Sequence, residues 1–432
     1  MGLLSKRVGL MDTENAFKIG PHIRAIEEQG RRVIKCNLGE PDFPVPTFIK
    51  DEVKRQIDLG NTRYCDPQGI LPLRVAVAKQ LSETRGIQAT PDRVVIFPGA
   101  KPPIGLCQQT YCDPGDDVVY PSPGFPIYES FVRYVGARPV PVHLREEKGF
   151  ALSGQDMTPL LNKRTKMIIL NFPSNPTGGV ASQDQLLEIA DVIRRSCSED
   201  VRVFSDEVYE YILFDGSRHH SIVSCPGMEK VTVLVSGVSK TFSWTGGRIG
   251  WALFPTAEEA EIFKNLNINY FSCIPPYNQE GARVALESPL SRDSIFHMVK
   301  TFQERRDFVV RGLNAIKGIR CQNPKGAFYA FPNIGEVCEN LGIMEAFRKL
   351  PSDLQPKTSP STLFQMFLLF EYQVATLDRK SFGRIGTEDL HYLRISVATD
   401  TESLKEGVKR IEAATQDKEG FKLFFKRGEH LY

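Results

Sequence analysis

The sequence predicts an α/β fold: a large domain with a mostly parallel sheet between helix layers, joined to a smaller α+β domain. Three observations predict it. Short β-branched runs recur along the chain, and each ends in Gly, Pro, Ser, Asn or Asp. Residues 94–97 run into Pro98-Gly99, 118–120 into Pro121-Ser122-Pro123-Gly124, 167–170 into Asn171, 201–204 into Ser205-Asp206, and 231–235 into Ser236-Gly237. Helical patterns such as 184–195 and 258–266 lie between several of these runs. Strand, polar turn and helix in repetition are the mark of a buried parallel sheet. Finally, 432 residues that are 41% hydrophobic and 25% charged suit a globular chain of two domains.

The elements follow in order. The first fifty residues hold a short amphipathic stretch at 16–28, a run at 32–38, and the turn-rich Gly39-Glu40-Pro41-Asp42-Phe43-Pro44-Val45-Pro46. From about Phe48 the strand–turn–helix rhythm begins. Ligands of such sheets sit outside the carboxyl ends of the strands. The polar residues closing each run are therefore predicted to meet on one rim. After Ser288 the character changes: a long charged helix over 293–313, then extended pieces at 327–331 and 393–397. The Pro/Ser-rich stretch 350–362 reads as an exposed loop, and 418–432 as an amphipathic tail docked on the body or frayed. The large domain is placed at 48–290, and the small one is assembled from 1–47 and 291–432.

Composition also excludes. With 54 Lys+Arg against 52 Asp+Glu the formal charge is +2, and neither a basic excess nor a basic stripe marks a nucleic-acid partner. The most apolar long stretch, 361–374, is interrupted by Gln365 and Glu371, so no membrane span is predicted. Charges in MGLLSKRVGLMD interrupt what a signal peptide needs as an apolar core. Nine scattered cysteines with no C-x-x-C pair read as reduced thiols of a cytoplasmic protein. No histidine spacing predicts a metal site.

Four groups on the predicted rim carry chemistry together. Lys240 follows an apolar strand within Ser236-Gly237-Val238-Ser239-Lys240-Thr241, where desolvation lowers an amine's proton affinity, the state a Schiff-base lysine needs. Arg248, in Thr245-Gly246-Gly247-Arg248, offers a fork suited to phosphate. Asp206 and Tyr209, in Ser205-Asp206-Glu207-Val208-Tyr209, place a carboxylate and a phenol at another strand end. Asn175 lies in the rigid loop Asn171-Phe172-Pro173-Ser174-Asn175-Pro176-Thr177-Gly178-Gly179. An amine, a carboxylate for a ring nitrogen, donors to a phenolic oxygen and an anion cradle are what pyridoxal phosphate requires.

On these motifs the chain resembles the class I (fold-type I) pyridoxal-phosphate-dependent aminotransferases, above all the aspartate aminotransferase branch, from Asn37 to about Ala398. The resemblance implies transfer of an amino group from an L-amino acid to a 2-oxo acid, through a Schiff base on Lys240 and in two half-reactions. It implies that Lys240, Asp206 and Tyr209 are catalytic. Gly99, Ala100, Lys101, Phe125, Asn175, Ser239 and Arg248 would complete the cofactor site, with Phe125 stacked on the ring. Tyr64 would reach the phosphate in the partner subunit of a homodimer. Gly39, Lys101, Phe125, Asn175 and Arg394 would face the substrate, Arg394 gripping the α-carboxylate. Lys101, at the place of a lysine that can reach a distal carboxylate, favours aspartate or glutamate as one partner.

The sequence departs from the family pattern in three places. Gly237 stands where a phosphate-binding hydroxyl often lies, which leaves Ser236 or Ser239 as its replacement. Pro102-Pro103 follow Lys101 at the expected start of a helix, where two prolines constrain the chain. The 350–362 stretch is longer than the compact pattern. Two other readings stay open: a pyridoxal-phosphate lyase or synthase expelling a β- or γ-substituent with the same Lys240, Asp206 and Arg394, and a non-catalytic binding or regulatory protein on this fold. Against the second, the 36 residues before Asn37 are too few for a DNA-binding domain and linker.

Overall fold

The computed structural model describes residues 3–12 and 14–431. Its strands, in chain order, are β1 (Ile34–Lys35), β2 (Val94–Phe97), β3 (Asp117–Ser122), β4 (Arg138–His143), β5 (Thr165–Asn171), β6 (Arg202–Asp206), β7 (Thr232–Gly237), β8 (Gly250–Leu253), β9 (Tyr329–Ala330), β10 (Val374–Ala375), β11 (Leu377–Asp378) and β12 (Leu393–Ser396). Seven of them form one sheet in the order β2-β8-β7-β6-β5-β3-β4. All pairs are parallel except those of β8, which runs antiparallel to both β2 and β7. The β-branched runs are these strands because both faces of the sheet are buried and successive side chains go to opposite faces. Val95, Phe97, Met167, Ile169, Val233 and Val235 pack with the helices Lys101–Tyr111 and Ala257–Phe271 in one core. Their neighbours Val94, Ile96 and Leu234 enter a second core, and Ile168 and Leu170 a third.

Sequence patterning passes over β4 and β8. Pro139 and Pro141 lie within β4, which pairs only with β3 at the sheet edge, where missing amide donors cost no ladder bond. In β8, Gly250 holds the place: a side chain there would meet the Gly99 carbonyl carbon at 2.4 Å.

The remaining strands make a three-stranded antiparallel sheet, β11-β12-β9, and a parallel pair, β1-β10. The predicted charged helix runs Leu290–Asn314. The predicted exposed loop is corrected at its end. Ser359 caps a helix over Pro360–Tyr372, accepting the Thr362 N–H at 3.1 Å, and Thr358, Pro360 and Ser361 are buried. That helix is apolar because it is core, and among the described residues no helix is long and apolar enough to cross a membrane. The tail forms a helix over Lys418–Arg427 that buries Phe421 and Phe424, while Tyr432 lies outside the described residues.

Candidate active site

The carboxyl ends of β2, β5, β6 and β7 meet at a cavity of about 430 Å³, closed on its other sides by Arg394 of β12, Tyr329 of β9 and the N-terminal residues Glu14, Ala16 and Phe17. The size suits a cofactor plus a small substrate. Lys101, Phe125, Asn175, Asp206, Tyr209, Ser239, Lys240, Arg248, Gly39, Ala100 and Arg394 all line it. Gly99 lies beneath the Arg248 guanidinium, and Tyr64 stands apart, 87% exposed on a loop.

Lys240 sits in the single helical turn Val238–Thr241 that follows β7. Its Nζ donates to the Gly39 carbonyl at 2.5 Å. Burial, and then the Arg394 charge, pull this amine down to about 8. A lysine so placed loses its proton far more readily than one in water. Gly39 is required as glycine, since a side chain would meet the Tyr329 hydroxyl at 2.3 Å.

Asp206 ends β6 with a carboxylate only 6% exposed. Burial raises it to about 6, opposed by donors: Tyr128 Oη gives a hydrogen bond to Oδ2 at 2.6 Å and the Val208 N–H one to Oδ1 at 3.4 Å. Tyr128 escaped the sequence reading because a tyrosine three residues past Phe125 reads as helix core. Tyr128→Phe is expected to move the acid limb of the kcat/KM profile up by roughly one pH unit, a charge-assisted hydrogen bond being lost. An unmoved limb would separate Tyr128 from Asp206 function. Behind the same turn, Arg85 pairs with Glu207 at 2.9 Å, and Ser236 Oγ donates to Glu210 at 2.6 Å. Burial alone would raise Glu207, yet Arg85, His219 and Ser221 hold it down to about 2. This buried network anchors the strand end that presents Asp206.

Arg394 is 4% exposed and held on three sides. Nη1 donates to Asn175 Oδ1 at 3.0 Å, Nη2 to the Asn37 carbonyl at 2.5 Å, and the guanidinium lies 4.5 Å from the Tyr329 ring centroid and 5.1 Å from that of Phe382. Its Nε has no partner. Asn175 is itself fixed through its N–H to Asn171 Oδ1 at 2.9 Å, and Asn171 donates to the Asp206 carbonyl at 3.1 Å. The Tyr209 hydroxyl meets that of Tyr329 at 2.7 Å, and burial pushes its proton affinity up, so Tyr209 stays a phenol.

At the opposite wall Arg248, in the left-handed region at φ 54°, donates to the carbonyls of Thr245 at 2.8 Å and Pro98 at 2.9 Å. A side chain on Gly99 would lie 2.2 Å from its Nη2. The helix Lys101–Tyr111 begins at this wall, and Pro102 and Pro103, which carry no amide N–H, occupy its first turn. First-turn amides have no intrahelical acceptor, so the two prolines cost no helix bond, but they also offer no N–H to a ligand at this wall. Between the two candidate hydroxyls geometry discriminates. Ser236 is buried and committed to Glu210, whereas Ser239 lines the cavity. No side chain fits at Gly237, where a Cβ would lie 2.8 Å from the Ile249 carbonyl.

Lys101 is paired with the Glu14 carboxylate, and its Nζ lies 5.6 Å from the Phe125 ring centroid. Glu14 was invisible to motif reading, being one acid in an unremarked N-terminal stretch. The cavity thus offers a buried carboxylate without a cationic partner within bonding distance, an easily deprotonated lysine, an aromatic wall and an arginine beside the start of a helix. These residues fit pyridoxal phosphate: Asp206 for the ring nitrogen, Lys240 for the aldehyde carbon, Phe125 for the ring face, and Arg248 with the Gly99-Ala100-Lys101 backbone for the phosphate.

Comparison with known proteins shows the family. The profile of the family "Aminotransferase class I and II" matches residues 31–411. The chain is 34% identical to the probable aspartate/prephenate aminotransferase of Aquifex aeolicus, over 96% of this chain and 99% of that one. It is 33% identical to aromatic-amino-acid aminotransferase 2 of Thermococcus litoralis, with the same two coverages. The solved aspartate aminotransferase of Rhizobium meliloti superposes with a TM-score of 0.84 at 30% identity, covering 95% of this chain and 98% of that one. A parallel sheet whose strand ends gather a lysine, an aspartate and two arginines, in a sequence matched along nearly its whole length, leaves one conclusion: the chain belongs to the class I and II aminotransferases, pyridoxal-phosphate-dependent enzymes that move an amino group between an amino acid and a 2-oxo acid.

Proposed function

We propose that this aminotransferase takes aspartate or glutamate, with the corresponding oxo acid, as one of its partners, and that it works as a cytoplasmic homodimer. One observation carries the choice of substrate: the cavity already holds a carboxylate, that of Glu14, on Lys101. A site that binds one carboxylate there can bind another, and relatives named aspartate aminotransferase support the reading. Arg394 and Lys101 then take the two carboxylates of the substrate, and Glu14 yields its place.

Bound pyridoxal phosphate supplies the electron sink that makes the substrate's Cα–H acidic. The chain does the rest. Arg394, immobilised by Asn37, Asn175 and two aromatic faces, fixes the α-carboxylate and hence the direction of the Cα–H bond. Lys240, with its lowered proton affinity, takes the Cα proton and returns one from the same side. Asp206, kept anionic by Tyr128, holds a proton on the ring nitrogen, and Tyr209 and Asn175 donate to the ring's oxygen. Segments 1–47 and 291–432 move together on 48–290, so that Arg394 closes on substrate with its small domain. Tyr64, exposed in the single chain, reaches the phosphate of the partner subunit.

Lys101→Ala is expected to raise KM for aspartate and glutamate roughly 10- to 100-fold, the range of a charge-assisted contact, while kcat/KM for phenylalanine changes by less than about threefold. Glu14→Gln removes the internal competitor and lowers KM for aspartate. Equal losses for acidic and aromatic substrates in Lys101→Ala would overturn the assignment.

A further inference from the structure

Nine cysteines are free, and seven of them are buried. The other two, Cys65 and Cys273, are far apart in sequence and touch each other. The Cys65 N–H donates to Cys273 Sγ at 3.5 Å. Cys65 Sγ donates to the Ile274 carbonyl at 3.3 Å and accepts from Gln279 Nε2 at 3.4 Å. Gln279 is wholly buried and tied on to the Ile274 carbonyl at 2.8 Å and the Ile70 N–H at 2.8 Å. The pair therefore lies in a built frame rather than on loose loops.

The backbone that presents Cys273 is strained. The helix Ala257–Phe271 ends at Ser272, whose φ of 61° and ψ of −69° form a γ-turn of the positive-φ hand, closed by Cys273 N–H to the Phe271 carbonyl at 2.8 Å. Such turns are rare for a residue with a side chain and persist only where surroundings impose them. Here the turn aims Cys273 at Cys65. Tyr64, the neighbour of Cys65, is the exposed residue assigned above to the partner's phosphate.

We propose that Cys65 and Cys273 are a redox pair that closes to an intrachain disulfide under a peroxide, and that closure displaces the loop carrying Tyr64. Cys273 is the attacking sulfur, because it accepts the Cys65 N–H while Cys65 gives its proton to a carbonyl. Burial, then the nearby Cys273 sulfur, push the Cys65 thiol up to about 12, in keeping with that order. The Cys273 sulfur attacks hydrogen peroxide: its S–O bond forms, the O–O bond breaks, the thiol proton passes to the leaving oxygen, and water departs, giving a sulfenic acid. Cys65 then attacks that sulfur: the S–S bond forms, the S–O bond breaks, and a second water leaves with the Cys65 proton. Two thiols lose two electrons and the peroxide gains them. A thiol such as dithiothreitol reverses the step. In a reducing compartment, disulfides of this kind are transient and sensing rather than structural.

The second half rests on the dimer reading of Tyr64, and the test separates the two. The holoenzyme, treated with hydrogen peroxide under native conditions, is mapped by peptide mass spectrometry without reduction. The expected result is a cross-linked pair of peptides containing Cys65 and Cys273, lost by two hydrogens, absent in both Cys65→Ser and Cys273→Ser and reversed by dithiothreitol. Activity should fall several-fold in the oxidised wild type, recover on reduction, and stay unchanged by peroxide in both variants. Sulfinic or sulfonic acid at either position in place of the cross-link, or a different pairing, overturns the disulfide. A cross-link at full activity overturns the link to Tyr64 and leaves the transaminase reading untouched.

Discussion

Lys240→Ala is expected to lower transamination on the order of 10⁴-fold or more, the scale on which removal of a group that both bonds covalently and carries a proton acts. The geometry leaves no substitute. Lys101 is the other lysine on the cavity wall, and it is tied to Glu14. Lys240 lies instead beside Gly39, in the part of the cavity where burial and Arg394 together favour its neutral form. Alanine continues the short turn Val238–Thr241 without difficulty, so the variant folds and retains the cofactor through Asp206, Arg248 and the helix start. Borohydride treatment of the wild type should fix the cofactor on the peptide containing Lys240, and the variant should take up no such label. Activity within a hundredfold of wild type, or a label on Lys101, would remove Lys240 from its assigned place.

Much of this site was legible because its parts are local. Lys240, Asp206 and Gly99 each stand where an apolar run stops, and a parallel sheet must bring such ends to one rim. The resemblance carried Arg394 and Asn175, and the fold places them 3.0 Å apart across 219 residues of sequence. What could not be read was partnership across distance. Tyr128 acts on Asp206 from a helix whose pattern says only core, and Glu14 meets Lys101 from a stretch with no motif. Ser236 and Ser239, equivalent candidates in sequence, are separated by the strand's end: Ser236, within β7, donates to Glu210, and Ser239, in the helical turn that follows, lines the cavity. β4 was hidden by its prolines, which are tolerated only because it is an edge. The 350–362 stretch was misjudged at its end because Ser359 and Pro360 read equally as loop and as the capped first turn of a helix.

Asp206→Asn separates what the site gives to function from what it takes from stability. A carboxyl whose folded pKa, about 6, lies above its ordinary 3.8 binds its proton more tightly in the folded chain. Ionising it therefore costs stability progressively between those two values, and the cost is complete at neutral pH. At about 1.36 kcal/mol per unit, the ledger is on the order of 3 kcal/mol. Asparagine cannot ionise, so it removes that cost, but its amide NH₂ must face either the Tyr128 hydroxyl or the Val208 N–H. One donor is then badly placed, and the net gain for the cofactor-free protein is expected at roughly 1–2 kcal/mol at neutral pH. The gain should vanish as pH falls below 3.8, where the wild-type carboxyl becomes protonated in both states. Activity moves the other way, by about 10³-fold downward, because a neutral amide cannot hold the proton on the ring nitrogen. Denaturant titrations of both cofactor-free proteins at two pH values, beside kcat/KM of the loaded enzymes, measure the two effects independently. A destabilised variant at neutral pH would mean that Asp206 has a cationic partner in the chain itself. Near-normal activity would mean that the ring nitrogen is held by another group.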